Sequence, residues 1–231
     1  QHKKDGGFWS QAFVDLLDVP TISPLLDEIY GGAPGVGLPA FRIDHINVHT
    51  HGVFNKDLAG GTIHNFNQRR LNPDKPDELQ PLYSERDTAT GSFRNGLVAV
   101  AYELEDTVCN DGGFCCLPGS HKANYRIPAE WVDLSKGVHP MIRRIPARPG
   151  TAIIFTEALS HGTLPWIVPN RRTTLFYKYT ALHEAYAGEA NYFDRSDVDQ
   201  WPGADARKRT ILSPPPKAWV ERKRSLAEQA A

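Results

Sequence analysis

GLVAVAYEL, at residues 96–104, opens the series of short apolar segments that decides the fold. The series continues with GGFCCLPG (112–119), PMIRRIPA (140–147), TAIIFTEAL (151–159) and RRTTLFYKYTAL (171–182). Gly and Pro turns separate these segments, and no stretch with helical spacing lies between them. Many short strands without intervening helices are typical of a β-sandwich or a β-barrel. The sequence therefore predicts a mainly β core.

Upstream of this series, FRIDHINVHTH (41–51) has the two-residue period of a strand. The odd positions, which are expected to share one face, are Phe41, Ile43, His45, Asn47, His49 and His51. A second short strand is predicted over residues 62–66. Residues 67–95 are polar and rich in turn formers, and we expect this long excursion to act as a lid or a substrate-selecting loop.

Both ends of the chain are predicted to contain helix. Residues 8–17 have apolar side chains close to helical spacing, and Pro20 ends this first helix. Ser23 and Pro24 have the character of an N-cap and a first helical residue, and they open a second helix. The chain after His183 is predicted to be irregular until a final helix near residues 218–230.

The numbers of charged residues and the lengths of the apolar stretches argue against two classes of partner. The 231 residues include 26 Lys and Arg and 27 Asp and Glu, which gives a net charge of -1. This balance provides no basic surface for a nucleic acid. No stretch approaches the ~18 apolar residues of a membrane span. We therefore expect neither a nucleic-acid partner nor a membrane.

The number of cysteines indicates the redox state of the compartment in which the protein resides. Cys109, Cys115 and Cys116 make an odd count, which argues against a disulfide framework and for a reducing environment. We therefore expect an intracellular, cytoplasmic protein whose cysteines lie in the core rather than on a metal. The sequence begins at Gln1 and its only methionine is Met141, so we expect the native start elsewhere, which leaves room for a targeting segment.

His161 has the most informative surroundings of the nine histidines. It follows the strand TAIIFTEAL, and Arg171 and Arg172 open the next strand ten and eleven residues later. This order places an imidazole and a guanidinium on neighbouring strands. Arg is suited to bidentate capture of a carboxylate. A metal ligand beside a carboxylate anchor is what an iron oxygenase that uses 2-oxoglutarate requires.

The order of four motifs resembles one known family. DGGFCCLPGSHKANY (111–125), RPGTAIIF (148–155), SHG (160–162) and RRTTLFYKY (171–179) are similar to the phytanoyl-CoA dioxygenase family of iron(II)/2-oxoglutarate-dependent oxygenases. The similarity extends over about residues 60–180. It implies a double-stranded β-helix, or jelly roll, in which a His-x-Asp/Glu pair and a distal His hold the metal.

The resemblance also implies roles for single residues. His161 corresponds to the distal metal ligand and Arg172 to the 2-oxoglutarate anchor. Arg172 is preferred to Arg171 because it lies seven residues before Tyr179, where the family tends to place an aromatic residue. His121, in the Pro-Gly-Ser-His loop, corresponds to a structural residue rather than a ligand.

The proximal pair departs from the family pattern. The best-placed histidine is His64, but the acid position of His64-Asn65-Phe66 holds a phenylalanine. Because a facial triad needs one carboxylate, we expect Glu157, four residues before His161, to provide it. The predicted metal ligands are therefore His64, His161 and Glu157.

Other readings of the site stay open at this point. Halogenating relatives replace the acid by a small residue that leaves room for a halide, although Phe66 would fill that space. His49 and His51, with His161, resemble the metal site of cupins, for which Asp57 is the nearest acid. In the two remaining alternatives, the site is built from other residues, or the fold no longer binds a metal.

The sequence thus predicts an iron(II)/2-oxoglutarate-dependent dioxygenase that uses O2 and hydroxylates a small organic molecule. The alternative is a non-enzymatic jelly-roll module that binds a ligand and whose metal site has decayed. One domain is expected over residues 1–231. It comprises a helical N-terminal part (1–40), a jelly-roll core (41–183) and a C-terminal extension with a helix (184–231). Nothing in the sequence names the substrate or the oligomeric state.

Overall fold

The computed structural model describes most of the predicted core. The described residues are 8–32, 37–52, 62–65, 84–86, 89–91, 93–107, 112–123, 127–218 and 220–221. Most of the predicted lid, Phe66, Asp57 and Cys109 lie outside these ranges. None of the described helices is long and apolar enough to cross a membrane.

Nine strands form the β part of the described chain. They are β1 (Phe41–His51), β2 (Ser84–Arg86), β3 (Phe93–Asn95), β4 (Leu97–Glu103), β5 (Gly113–Cys116), β6 (Arg143–Arg144), β7 (Ala152–Thr156), β8 (His161–Leu164) and β9 (Arg172–Ala181). One sheet has the strand order β1-β9-β4-β7, a second has the order β6-β5-β8, and β2 pairs with β3. The predicted mainly β core is confirmed.

The α-helices are short. They are α1 (Gln11–Asp15), α2 (Ser23–Ile29), α3 (Arg195–Asp199) and α4 (Ala206–Leu212). Single 3₁₀ turns cover Leu16–Asp18, Ser120–Lys122, Ala129–Trp131 and Glu189–Asn191. Residues 217–218 and 220–221 are also helical, and the rest of the predicted final helix lies outside the described residues.

The strand registers determine which side chains face the core. β4 and β7 are antiparallel, with Ala99 opposite Phe155, and β5 and β8 are antiparallel, with Cys116 opposite His161. Because side chains alternate along a strand, successive residues of β5 enter different buried clusters, with Phe114 and Cys116 in one and Cys115 in another. The first cluster unites side chains of both sheets: Ala99, Ala101, Phe114, Cys116, Phe155 and Phe176. This cluster therefore lies between the two sheets.

The chain divides into two compact units. The first comprises Gln1–Ile46, Asn95–Leu97 and Tyr177–Ala231, and the second comprises Asn47–Arg94 and Val98–Phe176. The expectation of one domain over residues 1–231 stays a prediction. All predicted site residues belong to the second unit.

The first unit differs from the sequence prediction in β1. Alternation predicted one buried face, yet Arg42 and Asp44, at the positions that alternate with Phe41 and Ile43, are almost fully buried as well. Arg42 donates to the carbonyls of Glu184 and Ser213, which compensates for the burial of its charge. Because partners from the C-terminal segment allow these polar side chains to be buried, burial along this part of β1 does not alternate with a period of two residues.

The C-terminal segment is more helical than predicted. Helices α3 and α4 lie in a stretch that was expected to be irregular. They have only five and seven residues, which is too short for a helical period to be recognised in the sequence. Asp205 caps α4 by accepting a hydrogen bond from the Lys208 amide at 2.8 Å.

Two further predictions need adjustment. Ser23 is the first residue of α2 and Ile22 is its N-cap, while the Ser23 hydroxyl donates to the Asp18 carboxylate. Residues 62–65 form no strand; they contain a single β-bridge at His64.

Candidate metal centre

Three predicted ligands converge in the second unit. The ligand atoms of His64, Glu157 and His161 all lie within 4.8 Å of one another. Among the described residues this is the only group of His, Cys, Asp and Glu with the spacing of a metal site. Their role as ligands stays a prediction, but the required convergence is present.

A backbone bridge holds the two histidines side by side. The His64 amide donates to the His161 carbonyl and the His161 amide donates to the His64 carbonyl, both at 2.9 Å. Residues that exchange both bonds lie directly opposite each other in an antiparallel pair. The two imidazole rings are accordingly close, with centroids 4.4 Å apart. The bridge therefore aligns His64 with His161 although residues 62–65 form no strand.

Gly162 permits this close approach. A Cβ atom at this position would lie 2.9 Å from the Thr62 carbonyl oxygen and 3.2 Å from Ile63 Cδ1. Backbone oxygen atoms at that distance leave no room for a side chain. The glycine of the Ser-His-Gly motif is thus explained by the packing of the segment that carries His64.

Glu157 comes to the same place from the end of β7. It continues the phase of Ile153 and Phe155, and Phe155 belongs to the core cluster between the sheets. Its side chain is fully buried, and Oε2 lies 3.9 Å from His161 Nε2. Glu157 therefore faces the interior with His161 and does not point to solvent.

The hydrogen bonds of the rings select the nitrogen that is available to a metal. His161 Nδ1 lies 2.7 Å from the Leu159 carbonyl oxygen, and His64 Nδ1 lies 3.1 Å from the Thr62 carbonyl oxygen. A carbonyl only accepts, so Nδ1 carries the proton in both neutral rings. The lone pair then resides on Nε2. Metal-binding histidines are oriented by partners of this kind.

The Pro-Gly-Ser-His loop supports the residue before His161. Ser120 Oγ accepts a hydrogen bond from the Ser160 amide at 2.8 Å, and Asn65 Nδ2 donates to Ser160 Oγ at 2.7 Å. Ser160 is thereby tied both to the loop and to the neighbour of His64. In the loop, burial and Lys122 lower the pKa of His121, which is not part of the His64–Glu157–His161 group.

The donor set fits iron(II). Two imidazole nitrogens and one carboxylate are the ligands of a facial triad. Donor atoms about 2.0–2.2 Å from an ion lie about 3 Å apart when adjacent, so the observed cluster needs only a modest contraction.

Phe114 and Phe155 flank the His161 ring and form an apolar wall, with their ring centroids 5.9 and 4.6 Å from that of His161.

Arg172 lies buried with a carboxylate partner that the sequence reading missed. Its Nε donates to Glu103 Oε2 at 3.1 Å, and its Nη2 donates to Glu103 Oε1. Thr174 Oγ1 donates to the same Oε2 at 2.9 Å. Arg171, in contrast, is 72% exposed and pairs with Glu105. The arginine preferred from the sequence is thus the buried one.

The second histidine pair makes other contacts. His49 packs on Phe176, with centroids 4.8 Å apart, and His51 Nδ1 lies 3.4 Å from Arg172 Nη1. Burial, then Arg172 and His49, lower the pKa of His51 to about 4, so this ring is neutral at physiological pH. Within the described part of the chain, the cupin-like group of His49, His51 and His161 does not form.

The two described cysteines are core residues. Cys115 and Cys116 are buried and free. Burial is the main cause that raises the pKa of the Cys115 thiol, to about 12. Neither thiol belongs to the metal-site group, in agreement with the prediction that they are structural.

Comparison with known proteins finds a matching family model. The family model for phytanoyl-CoA dioxygenase (PhyH) matches residues 60–173. The similarity stated from the four motifs is therefore confirmed. No curated protein sequence matches the chain.

Solved structures support the fold. Apo HygX from Streptomyces hygroscopicus is 20% identical, with a TM-score of 0.55 over 84% of this chain and 76% of HygX. HygX with nickel and 2-oxoglutarate bound is 20% identical, with a TM-score of 0.50 over 81% of this chain and 75% of HygX. HygX with iron bound is 19% identical, with a TM-score of 0.50 over 81% and 78% of the chains. The predicted double-stranded β-helix is confirmed.

Proposed function

We propose that this chain, whose residues 60–173 match the family model for phytanoyl-CoA dioxygenase, is a member of that family and an iron(II)/2-oxoglutarate-dependent dioxygenase that hydroxylates a small organic molecule. The observation that carries the proposal is the convergence of His64, Glu157 and His161 within 4.8 Å. HygX, which shares the fold, has been crystallised with iron and with nickel and 2-oxoglutarate.

His64 and His161 hold the ion through Nε2, and Glu157 provides the anionic ligand. The ion, when bound with 2-oxoglutarate, supplies the activation of O2 that no side chain can perform. The carboxylate partly compensates for the charge of the divalent ion, which two neutral imidazoles leave in place. Glu157 thus takes the role that the acid of the His-x-Asp/Glu pair has in the family pattern.

Other groups orient the metal ligands, shield them from water or bind the cosubstrate. The carbonyls of Thr62 and Leu159 keep both imidazoles in the tautomer that presents Nε2. Phe114 and Phe155 exclude water from one side of His161, which strengthens electrostatic interactions at the site. Arg172 binds the distal carboxylate of 2-oxoglutarate with N–H groups that Glu103 does not occupy.

Anaerobic titration with iron(II) and 2-oxoglutarate tests the function. The proposed enzyme gives a visible metal-to-ligand charge-transfer band, whereas a ligand-binding module with a decayed metal site gives none. His161→Gln is expected to abolish the band. His183→Gln serves as the matched control, because the His183 side chain is 68% exposed. A wild-type protein that binds no iron(II) would refute the proposal.

A further inference from the structure

The buried pair of Arg172 and Glu103 has a consequence for the cosubstrate. Both side chains are 1% exposed, so the pair lies inside the second unit and not at its surface. Glu103 ends β4 in phase with Ala99 and Ala101, which face the core. A carboxylate at the inward end of an apolar strand is costly to bury unless a cation accompanies it.

Glu103 holds one edge of the guanidinium and leaves part of it available. Arg has five N–H groups. Nε and Nη2 each donate one to Glu103, and Nη1 lies near His51 Nδ1. Three of the five N–H groups of Arg172 are therefore engaged by described residues. The two that are left suffice for one further acceptor.

The net charge of this anchor is close to zero. The positive charge of Arg172 is matched by Glu103, and burial keeps the nearby His51 neutral at physiological pH. An incoming carboxylate would therefore add an unmatched negative charge to a buried pair. A neutral oxygen acceptor would make the same hydrogen bonds without that charge. Hydrogen bonds remain, but the usual advantage of an ionised acceptor is cancelled.

We propose that Glu103 determines the charge preference at the distal end of the cosubstrate, so that the Arg172 anchor recognises a hydrogen-bond acceptor rather than a negative charge. The inference rests on the proposed function, because it places the distal end of a 2-oxo acid at Arg172. It makes Glu103 a specificity-determining residue that acts through Arg172.

Three 2-oxo acids separate charge from hydrogen bonding at the distal end. 2-Oxoglutarate has a charged acceptor, its 5-methyl ester has a neutral acceptor, and 2-oxopentanoate has no acceptor. In the wild type, 2-oxoglutarate and the ester are expected to bind within tenfold of each other. 2-Oxopentanoate is expected to bind at least tenfold more weakly, since it leaves two buried N–H groups without the acceptor.

Glu103→Gln removes the negative charge and keeps the size and an acceptor oxygen. In this variant the preference for 2-oxoglutarate over the ester is expected to rise at least tenfold, because Arg172 is no longer neutralised. Glu105→Gln is the matched control. It removes a carboxylate two residues away that pairs with the exposed Arg171, and it should leave the preference unchanged.

Isothermal titration of the nickel-loaded protein without O2 turnover measures these affinities. A wild-type preference for 2-oxoglutarate over the ester of more than tenfold overturns the inference, even if Glu103→Gln does not fold. An unchanged preference in a folded Glu103→Gln variant overturns it as well. Failure of all three acids to bind the metal-loaded wild type refutes the proposed function itself, and the inference with it.

Discussion

Replacement of Glu157 by Gln distinguishes a metal ligand from a structural core residue. The two side chains have nearly the same size, so the change removes the charge of a fully buried group without creating a cavity. If Glu157 is a ligand, the variant loses affinity for a divalent ion while the metal-free fold is retained. If it is structural, stability falls and metal binding is unaffected.

The magnitude follows from linkage between metal binding and folding. Loss of a charged ligand is expected to weaken metal binding by at least about a hundredfold, which corresponds to about 2.7 kcal/mol at 1.36 kcal/mol per tenfold change. At a free metal concentration of 100 times the wild-type Kd, the ion stabilises the wild type by about 2.7 kcal/mol. The same concentration equals the variant's Kd, where the stabilisation is only about 0.4 kcal/mol.

Urea unfolding with and without nickel(II) measures both quantities. The metal-free unfolding free energies of wild type and Glu157→Gln are expected to agree within about 1 kcal/mol. Glu130→Gln, on the exposed 3₁₀ turn Ala129–Trp131, controls for the loss of one negative charge. Equal stabilisation of wild type and Glu157→Gln by the metal would show that this carboxylate is not a ligand.

Three other substitutions test the surroundings of the site. Gly162→Ala is expected to weaken metal binding about 10–100-fold by titration, because its Cβ meets the Thr62 carbonyl, whereas Gly188→Ala, with open space around it, should have no effect. His51 takes up a proton in the unfolded chain near pH 6.5 but in the folded protein only near pH 4, so its contribution is complete above pH 6.5 and is lost as the pH falls. His51→Gln should therefore lose about 2 kcal/mol less stability than the wild type in urea unfolding between pH 7.5 and pH 5, and equal losses would contradict this. Arg172→Ala, combined with Glu103→Gln so that no unpaired charge stays buried, should weaken 2-oxoglutarate binding more than tenfold and leave metal binding alone unchanged; the same result for Arg171→Ala instead would place the anchor one residue earlier.

The strands could be predicted because their residues are locally consistent. TAIIFTEAL contains β7 and GLVAVAYEL contains β4, since apolar residues end at turn formers in both segments. His161 could be singled out because a strand, a Ser-His-Gly motif and an arginine-led strand follow one another in the sequence. Patterns of this kind depend on residues that are close in the sequence, so they can be recognised without knowledge of tertiary contacts.

Contacts between distant segments could not be predicted in the same way. The bridge between His64 and His161 depends on the segment around Thr62 packing against Gly162, and no local pattern announces this. The partner of Arg172 was also missed, although one signal was present. Glu103 continues the inward phase of β4, and a charge in that phase indicates a buried partner.

The reciprocal bonds between His64 and His161 also give the site a built-in reporter. Each amide proton of the pair is held by the carbonyl of the other proposed metal ligand, with a donor–acceptor distance of 2.9 Å. Such a proton exchanges with solvent deuterium only when the local structure opens. The exchange rates of these two amides therefore measure the free energy of opening at the donor set itself, separately from unfolding of the β core. A ligand that closes the site slows both rates together, and one that binds elsewhere leaves them unchanged.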